Sequence, residues 1–450
     1  MTTPRVPGTV WEIFETLEKA GYETWCVGGA IRDALLGEER THIRIDALDW
    51  DLATAARPEE IRRLFRRTVP VGIAFGTVGV LDAQGVMHEV TTFRRDVITD
   101  GRHAVVEFGD SIEEDLARRD FTFNAIAFHP RSKEFRDPFA GRADLSAGIV
   151  RSVGVPGERM REDRLRALRG IRFAARLQFE IEPDTWQAIL DSAPHMGRLS
   201  AERVKQEIEK TMDQVACPSA AFSMWQSSGA FATLIPTLAN ASRTDLATID
   251  QISMPLPQPV AGQRPSAVPP AKANRRILRL IALFASLPQG VALNVLKDLR
   301  FSNSDAGWIA AIAGLYHEMR AEMDFAMAEA PPPDPVLRRW AAMTGRTRLA
   351  SVMRLAGARW AAERAAGAKV PAPEVIHATY RRAIRVAYRD PVEIADLAIN
   401  GSDLARIGIV GPAVGTMLRK LLETVITDPA SNTRETLLSM AQVEPAGGRN

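Results

Sequence analysis

The feature that most constrains this chain is a change of hydrophobic period about a third of the way along its 450 residues. Before about residue 140 the apolar residues come in short runs broken by glycine and polar residues. Trp25-Cys26-Val27 is one such run, stopped by Gly28-Gly29, and Ala30 to Leu36 then reads as the start of a helix. Gly76–Leu81 and Val86–Phe93, separated by the turn residues Asp82 to Gly85, read as a β-hairpin. From about residue 158 the spacing becomes helical, as in Leu165, Leu168, Ile171 and Phe173, and then Val204, Ile208 and Met212. Such a pattern is α+β: a unit with a small sheet first, and helices after it.

The length calls for two to four domains. Met254 to Lys272 is rich in proline and reads as a flexible linker or long loop, with a shorter break at Pro331–Pro335. No internal repeat of fixed period is seen. The two cysteines, Cys26 and Cys217, and the lack of a leader or a membrane-length apolar run point to a reduced, soluble, cytoplasmic protein. The seven histidines show no ligand spacing. A net charge of +2 predicts neither nucleic-acid nor membrane binding, so the distribution of charge matters more. Between Arg151 and Arg176 stand eight arginines against three acids. That stripe can neutralise phosphates, the alternative being a solvated helix face.

Asp49-Trp50-Asp51, followed by Leu52-Ala53-Thr54, is the strongest local signal for chemistry. In extended backbone, residues two apart share a face, so both carboxylates project together and Trp50 turns the other way. Adjacent anionic donors repel unless a cation lies between them, and Mg²⁺ takes such oxygens together with substrate phosphates. The pair therefore suits two-metal phosphoryl transfer, the alternative being a solvated loop. Upstream, Gly28-Gly29 lies between a strand-like run and a helix, so the backbone can approach a triphosphate at the helix N-terminus, with Arg32 in the first turn. The G-x-G-x-x-G spacing of a dinucleotide site is absent. Glu89, in the second strand of the hairpin, can complete a metal cage or take the proton of an attacking hydroxyl; it can equally be an outward-facing strand glutamate.

Four ordered blocks carry a resemblance: Val27-Gly-Gly-Ala-Ile-Arg-Asp-Ala-Leu-Leu-Gly37, Asp49-Trp-Asp-Leu-Ala-Thr54, Arg118-Arg-Asp-Phe-Thr-Phe-Asn-Ala125 and Glu162-Asp-Arg-Leu-Arg-Ala-Leu-Arg-Gly-Ile-Arg-Phe173. Asp137-Pro-Phe-Ala-Gly141 and Leu199-Ser-Ala-Glu-Arg-Val204, with Glu207 and Lys210, extend it over roughly the first 210 residues. Together they resemble the class II CCA-adding enzyme and bacterial poly(A) polymerase family. The resemblance implies a mixed-sheet nucleotidyltransferase head, or palm, over 1–140 and a helical neck over 141–212 that recognises the nucleotide base. A helical body over 213–340, containing the linker 254–272, and a helical tail over 341–450 that binds RNA would follow. It assigns Asp49 and Asp51 to Mg²⁺, with Glu89 as a third catalytic carboxylate. Gly28, Gly29 and Arg32 fall to the triphosphate, and Arg119, Asp120 and Asn124 to the sugar and phosphates.

In the Glu162 block, Asp163, Arg166 and Arg169 recur every three residues, which on one helix makes them neighbours on a face. A carboxylate acceptor and a guanidinium donor held there can bond the Watson–Crick edge of a base. In the family the first two positions select C and A over G and U; a surface ion pair is the alternative. Arg95–His103 resembles the family's flexible loop, an ordinary surface loop being the alternative. Asn400-Gly-Ser-Asp-Leu404, with Gly408, Gly411, Gly415 and Leu418, resembles the tail block of CCA-adding enzymes. There Gly411 and Gly415 could lay backbone amides on RNA phosphates, and Arg381, Arg382, Arg385 and Arg389 could track an RNA stem; a helix cap and a solvated face are the plainer account.

The implied function is addition of CCA, from CTP and ATP, to the 3′ end of tRNA. A poly(A) polymerase is the alternative within the family, and a non-catalytic RNA-binding protein on the same scaffold the alternative outside it. Neither a membrane nor a protein partner is implied. Two departures stand out. Eleven residues, Glu38 to Leu48, separate Gly37 from Asp49, more than the usual spacing, which makes Asp46 a rival carboxylate. No His-Asp metal pair of a phosphohydrolase is visible in the C-terminal half.

Overall fold

A computed structural model describes residues 3–37, 49–99, 104–109, 111–252 and 270–443. The chain divides into two compact units, 1–240 and 241–450. In chain order the first begins with α1 (Gly8–Lys19), β1 (Thr24–Val27), α2 (Gly29–Leu36), β2 (Asp51–Thr54), α3 (Pro58–Leu64) and β3 (Thr68–Gly72). It continues with β4 (Thr77–Leu81), β5 (Met87–Thr92), β6 (Arg94–Thr99), β7 (Ala104–Phe108), α4 (Ile112–Ala117), β8 (Ala127–Phe128) and β9 (Phe135–Arg136).

Seven of these strands form one mixed sheet in the order β3-β4-β5-β2-β1-β8-β9. β2 pairs antiparallel with β1 and parallel with β5; the other neighbours are antiparallel. The period of two sorts the side chains onto two faces. Cys26, Trp50, Leu52, Val78, Val80 and Val90 pack against Phe14 and Leu17 of α1, Ile31 and Leu35 of α2 and Ile61 of α3. Trp25, Val27 and Ala53 point the other way and pack with Phe93, Ile112 and Leu116. Trp50, 1% exposed, anchors the start of β2 on the first face. The residues on either side of it therefore turn toward the second, where the site lies.

The rest of the first unit is α5 (Gly141–Ala147), β10 (Ile149–Val150), α6 (Pro156–Glu162), α7 (Leu165–Leu177), β11 (Glu180–Ile181), α8 (Pro183–Ser192), α9 (Ala201–Gln214), α10 (Pro218–Ser227) and α11 (Ala230–Leu234). Aromatic rings knit α7 to the sheet unit. Phe173 meets Phe121 and Phe123 edge-on at 5.8 and 5.5 Å. The two phenylalanines of the Arg118 block are thus packing residues, and the polar residues among them are aimed by that packing.

The second unit comprises α12 (Arg243–Asp250), α13 (Pro270–Phe284), α14 (Gln289–Asp298), α15 (Asn303–Ala326), α16 (Asp334–Thr344), α17 (Arg346–Ala365), α18 (Pro373–Arg389), α19 (Gly401–Arg406), α20 (Pro412–Thr427) and α21 (Arg434–Val443). Among the described residues no single helix is long and apolar enough to cross a membrane.

Three expectations need correction. The neck is not all helical: β10 and β11 form a parallel pair, too short to leave a periodic signal. Arg95–His103 is not simply a loop, because β6 and β7 pair as an antiparallel ribbon around it. Val97, Ile98, Thr99, Val105 and Val106 favour extended backbone; residues 100–103 of that segment lie outside the described residues. The linker expected over 254–272 falls outside the described residues up to 269, and its last three residues open α13. Asp46, the rival carboxylate, also lies outside them.

One glycine controls how closely α5 approaches the Arg118 block. A Cβ on Gly141 would stand 2.1 Å from the Thr122 carbonyl oxygen, inside the turn that presents Asn124. Asp137 fixes this helix start by accepting the Gly141 and Arg142 amides at 2.6 and 3.0 Å. Gly141→Ala is expected to destabilise the first unit by about 2 kcal/mol or more, read from urea unfolding of the full chain. A change within error would mean that the close approach carries no cost.

Candidate active site

The strand register brings the carboxylates together. Asp51 starts β2 opposite Val27 of β1, and the parallel pairing Leu52↔Val90 sets Glu89 beside it. Asp49, exposed, precedes Trp50 by one residue. Burial, with the negative charges of Asp49 and Glu89, pushes the Asp51 carboxyl up to about 7, with Arg119 opposing. A carboxyl so placed is strained toward holding a proton or a cation. Among the described residues no three acidic, histidine or cysteine side chains already converge as a metal cage. The protein thus offers a carboxylate pair with a third carboxylate nearby.

Gly28 closes the site from the β1 side. Its φ of 78° lies in the left-handed region, and a Cβ there would meet both Asp51 Oδ2 and Arg119 Nη1 at 3.3 Å. Only glycine fits that turn without strain. Gly29 then opens α2 and lines the same cavity. Arg32, one turn on, is 3% exposed. Its Nε and Nη2 donate to Asp33 at 2.7 and 2.9 Å, and its Nη1 to Asn124 Oδ1 at 2.7 Å. Much of its hydrogen-bonding capacity therefore orients Asn124 and Asp33.

Asp120 is held by donors on both of its oxygens. Burial alone would raise it, but Arg169, Asn124 and the Phe121 amide outweigh burial and hold it at about 2. Arg169 donates to Oδ2 from Nε at 2.8 Å and lies 2.6 Å from it through Nη2; Asn124 and the Phe121 amide donate to Oδ1 at 2.9 Å each. Arg119 donates to Asp115 at 3.0 Å and to the Asn124 carbonyl at 3.3 Å.

The arginine stripe is not a solvated face. Arg169 reaches Asp120, Arg176 reaches Asp33 at 3.0 Å, Arg172 reaches Glu207 at 2.7 Å, and Arg166 bonds the Arg118 carbonyl at 3.1 Å. Arg159 bonds the Ala117 carbonyl as well. Arg32, Arg169 and Arg172 all lie over the Phe173 ring, at 5.0, 5.6 and 4.6 Å from its centroid.

The expected single helix through Asp163, Arg166 and Arg169 is also corrected. α6 ends at Glu162, Asp163 has extended backbone (φ −147°, ψ 104°), and α7 begins at Leu165. Asp163 Oδ1 accepts the Leu165 amide at 3.0 Å and Oδ2 accepts Arg203 at 2.7 Å. The Asp163 and Arg166 side chains are not bonded to each other, although the Arg166 amide donates to the Asp163 carbonyl at 3.0 Å. Arg166 Nη1 donates to Glu162 at 2.6 Å and to the Arg159 carbonyl at 3.0 Å. With the Arg118 contact this uses three of the five N–H groups of a guanidinium. A surface ion pair does not describe the two residues.

One cavity of about 720 Å³ gathers these groups, a size that accommodates a nucleotide. Gly28, Gly29, Arg32, Asp49, Asp51, Glu89, Arg119, Asp120, Asn124, Asp163, Arg166 and Arg169 all line it. It is also lined by Thr77, Thr91, Arg94, Arg172, Phe173, Arg176, Lys210 and Gln214, which sequence reasoning did not single out as site residues. Arg172, Phe173 and Arg176 follow Arg169 at helical spacing, a signal that could have found them. Nine basic side chains face five carboxylates, an environment suited to a polyanion.

In the second unit, Arg381, Arg385 and Arg389 are exposed along α18, with Tyr388 60% exposed among them. Arg382 instead donates to Asp334 at 2.6 Å. Gly411, with φ 64°, is the N-cap of α20, and a Cβ there or at Gly415 in the first turn would meet nothing within 4 Å.

Residues 24–151 match the family described as poly A polymerase head domain, and residues 178–242 the probable RNA and SrmB-binding site of polymerase A. A CCA-adding enzyme of Leuconostoc mesenteroides is 32% identical over 441 residues, which span 96% of this chain and 94% of that protein. One of Lactiplantibacillus plantarum is 46% identical over 202 residues, 44% of this chain and 47% of its own length. The solved CCA-adding enzyme of Bacillus stearothermophilus in complex with CTP superposes with a TM-score of 0.67 at 28% identity, covering 98% of this chain and 99% of the other. That of Thermotoga maritima complexed with tRNA has a TM-score of 0.63 at 20% identity, covering 98% and 97%, a likeness of fold alone.

The strain at Asp51 has a measurable sign. Its folded pKa of about 7 lies above the ordinary 3.8, so the ionised form opposes folding, and the cost grows from about pH 4 to pH 7 and is constant above. In chelator, Asp51→Asn is expected to melt about 3 °C or more above the parent at pH 8, the gap closing toward pH 4. An equal or lower melting temperature at pH 8 would show that the site is not strained.

Proposed function

The chain belongs to the class II CCA-adding enzyme and bacterial poly(A) polymerase family, and from that premise we propose how its pocket adds CCA, from CTP and ATP, to the 3′ end of tRNA. Relatedness to a CCA-adding enzyme along almost the whole chain, tail included, carries this reading over a poly(A) polymerase. Its chemistry is template-independent phosphoryl transfer to RNA, without the base pairing that normally chooses a nucleotide.

Enzymes of this kind use divalent metal ions, and Mg²⁺ is the ion we assign. The residues fit it: two carboxylate donors, crowded enough to push Asp51 up to about 7, leave coordination positions for phosphate oxygens and water. Asp49 and Asp51 would hold the ion. At such a pair a divalent cation supplies neutralisation of triphosphate charge and acidification of the attacking hydroxyl.

The protein's own groups position the rest. The Gly28-Gly29 turn and the first amides of α2 receive the triphosphate, with Arg32 adding positive charge behind Asn124. Arg119, beside Asp51, supplies positive charge at the reacting end. Asp120 and Asn124, locked by Arg169 and Arg32, border the sugar. The RNA 3′ oxygen attacks the α-phosphorus; a P–O bond forms, the α–β bridging bond breaks, and pyrophosphate leaves. Glu89 takes the proton of the hydroxyl.

Base choice falls to Asp163 and Arg166, with Arg169 fixing the helix that bears Arg166. C and A each present an exocyclic amine where U and G present a carbonyl. A carboxylate acceptor at Asp163 therefore favours the first two, and the two N–H donors left on Arg166 reach the adjoining ring nitrogen. Residues 1–140 and 141–212 act as head and neck, and 213–340 and 341–450 as body and tail. In the tail, Arg381, Arg382 and Arg385 lie along RNA phosphates, and Gly411 and Gly415 leave the start of α20 open to the backbone of the RNA. A reducing cytoplasm accords with unbridged Cys26 and Cys217.

Asp49→Asn is expected to lower turnover about a thousandfold or more with the fold retained; measurable parental activity would discard the metal assignment. With tRNA ending at the discriminator base, CTP and ATP together should yield CCA by product sequencing. A long A-tract would move the assignment to the poly(A) polymerases.

A further inference from the structure

We propose that Arg203, on α9 and outside the chemistry, is a positioning residue that sets nucleotide choice by fixing the rotamer of Asp163. The inference rests on Asp163 reading the base, and extends that reading to the residue that makes it possible. Asp163 belongs to neither helix: it stands in the break between α6 and α7 with extended backbone, so helical geometry does not orient it. Two protein donors do so instead. The Leu165 amide holds Oδ1 at 3.0 Å, and Arg203 Nη2 holds Oδ2 at 2.7 Å.

A carboxylate has about four acceptor positions, so two bonds from the protein leave capacity on both oxygens for a base. The amide comes from a neighbour in sequence and moves with the turn. The guanidinium comes 40 residues later, from a helix tied to α7 elsewhere by the Arg172–Glu207 pair at 2.7 Å. Arg203 thus converts the fixed distance between two helices into a fixed acceptor direction. Loss of that bond frees the Asp163 side chain to turn away from the base edge, or to meet a carbonyl-bearing base without repulsion at fixed distance.

Stability gives little reason for the contact. The side chains of Arg203 and Asp163 are 41% and 31% exposed, and pairs so exposed add little to folding. Glu207, by contrast, is 1% exposed and belongs to the packing of the neck, so Arg203 can be altered without disturbing it.

The test uses the full chain with tRNA ending at the discriminator base, comparing kcat/KM for CTP against UTP in the parent, Arg203→Ala, Arg203→Lys and Asp163→Ala. Arg203→Ala is expected to lower the CTP:UTP ratio about tenfold, the equivalent of one charge-assisted hydrogen bond. The loss should lie mainly in KM for CTP, Arg203→Lys should recover part of it, and the melting temperature should stay within about 2 °C. An unchanged ratio in Arg203→Ala beside a relaxed Asp163→Ala would overturn the inference and leave the base-reading role standing. An unchanged ratio in Asp163→Ala would overturn the base-reading role and this inference with it. Loss of activity with CTP and UTP in equal proportion would mark Arg203 as structural and overturn the proposal.

Discussion

The bridge from Arg169 of the neck to Asp120 of the head is the interaction on which the site depends. Its two contacts, at 2.8 and 2.6 Å, join a helix to a turn 49 residues earlier. Both contacts fall on Asp120 Oδ2, Oδ1 being held by Asn124 and the Phe121 amide, and charge assistance makes such bonds strong. Removing one partner of such a shielded pair costs about 3 kcal/mol, because the other charge is left without compensation. Around it Arg176 reaches Asp33, Arg166 and Arg159 reach the Arg118 and Ala117 carbonyls, and Phe173 packs on Phe121 and Phe123. The neck is latched to the head by arginines that the sequence alone suggests as phosphate binders and that the structure engages in protein contacts.

That latch gives the pocket its logic. The carboxylates at the start of β2 and on β5 and the side chains at the α6–α7 break stand on different elements, and on the proposed function a nucleotide meets both at once. Where a polymerase takes its distance from a base-paired template, on the proposed function this chain takes it from packed side chains, and catalysis would be mostly positioning. Asp51 carries the opposite economy: burial and its crowding by Asp49 and Glu89 disfavour the bare carboxylate, which a proton or a cation would relieve.

Much of this was legible in the residues. The period of two around Trp50 placed Asp49 and Asp51 away from the core, and the Asp82–Gly85 turn identified β4 and β5, hence the strand carrying Glu89. The glycine turn before α2 was equally plain. The break at Asp163 was not. Glu162-Asp163-Arg164 holds no glycine or proline, and one of the two donors to the Asp163 side chain at the break, Arg203, comes 40 residues later, the other being the Leu165 amide. The partners of the arginine stripe were hidden for a related reason. Asp33, Asp120 and Glu207 lie 143, 49 and 35 residues from the arginines they bind, and no local pattern encodes such pairings.

The most direct measurement is a double-mutant cycle on the latch, with Asp120→Asn, Arg169→Gln and both together, read as kcat/KM for CTP addition to tRNA. If the bridge works as one unit, either change alone removes most of what the pair contributes, and the double variant is no worse than the poorer single. Losses that simply multiply would contradict the account, because they would mean that Asp120 and Arg169 act on the nucleotide separately and that the neck is held by something else.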